Sequence, residues 1–111
     1  YGMQSGSLSE ALEPKPSNPM GYAKNGLRTQ LFFLREDVGF DLTWARLFYM
    51  YGEGQAESSI YTQLATAARD GSKEFNMSRG EQLRDFTPVE DIAQYLIDLA
   101  LMRKNIGIVN T

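Results

Sequence analysis

Residues 40–48, Phe40-Asp-Leu-Thr-Trp-Ala-Arg-Leu-Phe48, run on through Tyr49-Met50 into Tyr51-Gly-Glu-Gly-Gln55, and this stretch decides how the rest of the chain is read. The run from Phe40 to Phe48 is short, apolar at adjacent as well as alternate positions, and bounded by Gly39 and the glycines that follow. That pattern predicts a strand covered on both faces, and such strands sit in sheets flanked by helices. The flanking sequence supplies them. Upstream, Asn18-Pro19 is a helix start, with asparagine as N-cap and proline in the first turn. Leu27, Leu31, Leu34 and Val38 recur at helical spacing and Gly39 is a stop, so a helix is expected over 19–38. Downstream, Ile60, Leu64, Ala67 and Ala68 predict a second helix over about 57–69, ended by Asp70-Gly71.

Farther out, Thr87-Pro88-Val89-Glu90 has the form of a capping box, with Thr87 as cap, Pro88 in the first turn and Glu90 three residues on. The helix it opens runs to about Arg103 and would bury Val89, Ile92, Ala93, Leu96, Leu99 and Ala100. Ile106-Gly-Ile-Val-Asn110 is a final strand. Between Lys73 and Phe86, KEFNM and QLRDF are expected as two short strands around Arg79-Gly80, and residues 1–19 read as loop. The order is α/β: three helices and two main parallel strands plus short ones. Two main strands make a poor parallel sheet, so the pattern looks cut from something larger.

The chain has 111 residues, enough for one domain or part of one, with 42% hydrophobic and 23% charged residues. A chain of this length can bury roughly two thirds of its unfolded surface. It contains no cysteine and no histidine. Disulfides, thiolate nucleophiles, cysteine zinc sites and imidazole acid/base chemistry are therefore excluded. No carboxylate metal motif is present either. The net charge is −3, with basic residues scattered, so there is no nucleic-acid footprint. No apolar run approaches membrane-spanning length and no signal pattern appears, which makes a cytoplasmic location the expectation.

Three segments in this order carry a resemblance. They are Pro19-Met-Gly-Tyr-Ala-Lys24 at the helix start, Arg46-Leu-Phe-Tyr-Met-Tyr-Gly-Glu-Gly-Gln55, and Leu83-Arg-Asp-Phe-Thr-Pro-Val-Glu-Asp91. Together with Tyr1-Gly2 they resemble the NAD-dependent epimerases and dehydratases of nucleotide sugars, in the extended short-chain dehydrogenase/reductase family. The implied fold is the carboxy-terminal part of that family's Rossmann-like structure, as a single partial domain. Residues 1–55 would end the nucleotide-binding fold and include its catalytic helix. Residues 56–111 would form part of the substrate-binding region. The family's glycine-rich pyrophosphate turn has no counterpart here, and the serine that precedes the Tyr1-Gly2 pair in relatives would fall before residue 1.

The resemblance also implies roles. The family pairs a tyrosine, acid/base on a sugar hydroxyl, with a lysine four residues on that holds the nicotinamide ribose of NAD or NADP. Residues four apart share a helix face, so both groups reach one cofactor. Lys24 falls on the lysine, but the tyrosine position is Met20, and a thioether has no titratable proton. Tyr22 lies about 200° around the helix from Lys24 and reads as a packing residue. Phe48, Tyr49 and Met50 map to the stretch that contacts nicotinamide and substrate, and Tyr49 stands where most relatives carry asparagine. Gly52-Glu53-Gly54 reads as a turn. Arg84 falls on the arginine that meets the diphosphate of the nucleotide sugar, with an ion pair to Asp85, Glu90 or Asp91 as the alternative. The expectation is a fragment of an NAD(P)-dependent nucleotide-sugar epimerase or dehydratase, inactive alone and holding no cofactor tightly. The alternative is a non-catalytic relative or structural module. In either case association into a homo-oligomer through helix 19–38 is expected.

Overall fold

In the computed structural model all residues, 1–111, are described. Helix α1 spans Pro19–Val38. Asn18 sits in extended backbone and its Oδ1 accepts from the Gly21 N–H at 2.8 Å, while Pro19 takes the first helical position, where no N–H is needed. At the other end Gly39 adopts φ 75°, ψ 52° and its N–H donates to the Arg35 carbonyl at 2.8 Å. That left-handed closure favours a residue without a Cβ.

The expected strand 40–48 is two strands. Strand β1 is Thr43–Arg46 and strand β2 is Tyr49–Tyr51, with Leu47 and Phe48 between them outside either ladder. Helix α2, Ile60–Arg69, starts at Ser59, whose Oγ accepts from the Thr62 N–H at 3.1 Å. Then come β3, Phe86–Pro88, helix α3, Val89–Leu101, and β4, Gly107–Asn110. The pairings are parallel: β1 with β4, Thr43 opposite Gly107 through Arg46 opposite Asn110, and β2 with β3, Tyr49 opposite Phe86 through Tyr51 opposite Pro88. Because β1 and β2 find different partners, the run must break between them.

Two further expectations are corrected. Residues 73–77 form no strand, and only Phe86 of QLRDF enters one. The capping box does not form: Thr87 pairs with Met50 inside β3, and α3 begins at Val89 directly after the strand.

The chain divides into two units, Tyr1–Leu47 with Tyr95–Thr111, and Phe48–Gln94. The first holds α1, β1, β4 and the later turns of α3. The second holds β2, α2, β3 and the first turns of α3. Each has one buried apolar side chain, Leu99 in the first at 7% exposure and Ile92 in the second at 5%. The chain exposes 8840 Å². Of the α3 side chains expected inside, only Ile92 and Leu99 are buried; Val89, Ala93, Leu96 and Ala100 stay accessible. No helix is long and apolar enough to cross a membrane.

Candidate functional site

In the first unit the expected site residues ride on the start of α1. Met20 is 67% exposed, and Lys24, one turn on along the same face, is exposed and makes no ion pair. Gly21 allows the loop to close against the helix: a Cβ there would lie 3.1 Å from the Pro16 Cβ. Tyr22 is 64% exposed, so the packing role read from sequence is not what its ring does in this chain. Nothing in the structure brings its phenol into the place that Met20 occupies.

The loop before α1 is tied down by a cluster that sequence reading missed. Arg46 and Asn110 end the paired strands β1 and β4 as register partners. Arg46 Nη1 donates to the carbonyls of Glu10 and Leu12, both at 3.2 Å, and its guanidinium lies over the Tyr1 ring at 4.7 Å. Asn110 Nδ2 donates to the Leu8 carbonyl at 2.6 Å, and its backbone N–H donates to Glu10 Oε1 at 3.1 Å. The Tyr1 hydroxyl sits 2.6 Å from Asn110 Oδ1 and 2.9 Å from the Ser9 carbonyl, and can donate to either. Hydrogen bonds from the Glu10 and Asn110 backbone N–H groups, helped by the nearby Arg46 charge, hold the Glu10 carboxyl below the usual carboxylate range. The C-terminal ends of parallel strands are where α/β folds place working loops. Here those ends fix the segment that leads into Met20 and Lys24.

The second unit gathers Tyr49 and Arg84 on adjacent parallel strands and their lead-in. The Arg84 guanidinium lies 4.4 Å from the Tyr49 ring centroid, and Tyr49 leans on Phe86 with ring centroids 5.4 Å apart. Arg84 makes no ion pair with Asp85, Glu90 or Asp91; its Nε and Nη2 both donate to Gln82 Oε1. Phe48 and Met50 are half-buried, and the Met50 carbonyl accepts from Gln55 Nε2 at 3.0 Å. A Cβ on Gly52 would stand 2.5 Å from Val89 Cγ1. The glycine therefore serves close packing of the turn on α3, not a phosphate cradle.

A groove of about 250 Å³ lies in the first unit between Asp41, Thr43 and Ala45 on one side and Leu96, Leu99 and Arg103 on the other. None of the site residues lines it, and its walls are the packing gap of α3 against β1. No group of three acidic residues stands together as a metal site would require.

A family profile, described as the NAD dependent epimerase/dehydratase family, matches residues 1–110. The chain belongs to this family. The dTDP-6-deoxy-L-talose 4-dehydrogenase (NAD(+)) of Aggregatibacter actinomycetemcomitans is 33% identical over 96 residues, covering 86% of this chain and 35% of that protein. The crystal structure of UDP-glucuronic acid 4-epimerase from Bacillus cereus, in complex with UDP-glucuronic acid and NAD, matches with a TM-score of 0.79 at 26% identity, covering 99% of this chain and 36% of that one. MoeE5 in complex with UDP-glucose and NAD matches equally well, 0.79 at 31% identity, over 100% of this chain and 38% of that one. The chain thus spans about a third of the length of the relatives it matches.

As an epimerase/dehydratase family member the chain has the α/β fold with parallel strands that its sequence implied. At the positions the resemblance singled out, this chain has a thioether at Met20 and, one turn on, an exposed ammonium at Lys24 that makes no ion pair.

Proposed function

We propose that residues 1–111 are the part of an NAD(P)-dependent nucleotide-sugar epimerase or dehydratase that supplies the lysine of the catalytic helix and the arginine of the sugar-nucleotide site. The observation that carries this reading is Lys24: exposed, unpaired, and one helical turn from Met20 on an α1 whose approach loop is held at five points. An ammonium with three free donors suits the hydroxyls of a nicotinamide ribose. NAD, when bound, would accept and return a hydride. Lys24 would hold its ribose, Arg84 would meet the diphosphate of the sugar nucleotide, and Phe48, Tyr49 and Met50 would lie beside nicotinamide and sugar. A thioether neither gives nor takes a proton, so Met20 leaves this chain without the tyrosine's acid/base step and, alone, without turnover.

Association belongs to the same reading. Leu27, Leu31, Leu34 and Val38 follow one another at spacings of four, three and four residues along α1, and all but Leu31 are exposed. That stripe fits helix pairing across a two-fold axis with a second copy of the chain. A cytoplasmic location is part of the proposal too. The test of the nucleotide site is calorimetry with UDP. Weak binding is expected, reduced by about three- to tenfold in Arg84→Ala, in keeping with loss of a charge-assisted hydrogen bond pair at an exposed site. Equal binding by the variant would remove Arg84 from the site.

A further inference from the structure

Arg84 is restrained on one face and one edge. Tyr49 covers the face, 4.4 Å from the guanidinium carbon. Gln82 Oε1 takes the edge formed by Nε, at 3.1 Å, and Nη2. Tyr49 is itself fixed: its ring leans on Phe86 at a 42° tilt, and its backbone N–H donates to the Asp85 carbonyl at 3.2 Å, so strand pairing carries the ring to the residue next to Arg84. What remains open is the end of the guanidinium, Nη1 and the second N–H of Nη2. Those two parallel donors match the spacing of two oxygens on a phosphate. No carboxylate competes for them.

We propose that Tyr49 is a positioning residue for Arg84, holding its guanidinium so that the open end grips the diphosphate of a nucleoside-diphosphate ligand. This rests on the proposed function for the ligand, and on the geometry alone for the positioning. An exposed arginine has several rotatable bonds whose freedom must be frozen when it binds, and a partner that freezes them beforehand raises affinity. The interaction needs the ring and not the hydroxyl, because a cation is attracted by the aromatic face. Tyr49 therefore acts as a platform for the guanidinium.

The experiment combines UDP binding with nuclear magnetic resonance of the arginine side chain in the free protein, using uridine as the phosphate-free control. In the wild-type chain the Arg84 Nε–H and Cδ protons should be shifted upfield by the Tyr49 ring. Tyr49→Phe should keep that shift and keep UDP affinity. Tyr49→Leu should abolish the shift and weaken UDP binding by about two- to fivefold, the range of an exposed cation–π pair. Uridine affinity should be the same in all three, and in an Arg84→Ala background Tyr49→Leu should have no further effect. Amide spectra matching wild type outside β2 and β3 would establish that the variants fold. Unshifted Arg84 protons in a wild type that binds UDP would overturn the positioning role alone. Equal damage from Phe and Leu, or a Tyr49→Leu effect that survives Arg84→Ala, would mean that Tyr49 touches the ligand directly and would also overturn it. A wild type that binds UDP no better than uridine would overturn the nucleotide reading and this proposal together, even with the ring shift present.

Discussion

Met20 and Lys24 carry the proposed chemistry of this chain in two side chains. Residues four apart on a helix present their groups to the same volume, and here one group is cationic and the other inert. Restoring a phenol tests whether the volume is still shaped for proton transfer. In Met20→Tyr, the lysine charge nearby should favour the phenolate, so the new phenol should titrate at lower pH than the same phenol in a Met20→Tyr, Lys24→Gln double variant. Tyrosine absorbance across alkaline pH reads it, and identical titrations would mean that the two positions do not face each other. Glu10 offers a second residue-level test. Its folded pKa is depressed, so the stability it contributes to the loop is present above the ordinary carboxylate pKa and is lost as pH falls through and below that value. The protection of the Asn110 amide, its exchange rate taken relative to that of an unstructured peptide at the same pH, should fall over that acid window in wild type and stay constant in Glu10→Gln.

The helix α1 was legible from its sequence to the residue, because Asn18, Pro19 and Gly39 act on their own neighbours and need nothing distant. For the same reason Asn18→Ala should cost about 1 kcal/mol of stability through the lost cap. Gly39→Ala should cost a similar amount, about 1 kcal/mol, through the left-handed backbone. Thermal unfolding followed by circular dichroism measures both, and an unchanged midpoint would remove the caps as stabilising features. The strands were less legible. Pairing of β1 with β4 joins residues more than sixty apart, and no local pattern distinguishes Arg46, which ends a ladder, from Leu47, which leaves it. The supposed capping box failed on the same ground: Thr87 has cap chemistry, but β2 recruits it into a ladder first. The cluster of Tyr1, Glu10, Arg46 and Asn110 links positions about a hundred residues apart, and only the sheet register brings them together. Lys24, Tyr49 and Arg84 are proposed as site residues because they stand in ordered, recognisable segments. That Tyr49 and Arg84 touch was not readable, since 35 residues and a parallel crossover separate them.

At the scale of the molecule, two buried apolar side chains support 111 residues. Each contributes about 1.5–3 kcal/mol, which leaves the chain dependent on whatever covers its exposed leucines and aromatics. A second copy is the expected cover for α1. Sedimentation should find a concentration-dependent dimer, and Leu27→Glu with Leu34→Glu should convert it to monomer while the helical signal persists. A folded wild type whose sedimentation ignores concentration would defeat that expectation. The central claim is that this chain keeps the lysine and the nucleotide contact of an epimerase/dehydratase but not its acid/base group. The most direct measurement incubates it with NAD or NADP and a panel of UDP-, dTDP-, GDP- and CDP-sugars while NAD(P)H absorbance and sugar products are followed. Absorbance and products at background throughout are the predicted result; sustained formation of reduced cofactor or of an epimerised or dehydrated sugar would contradict it.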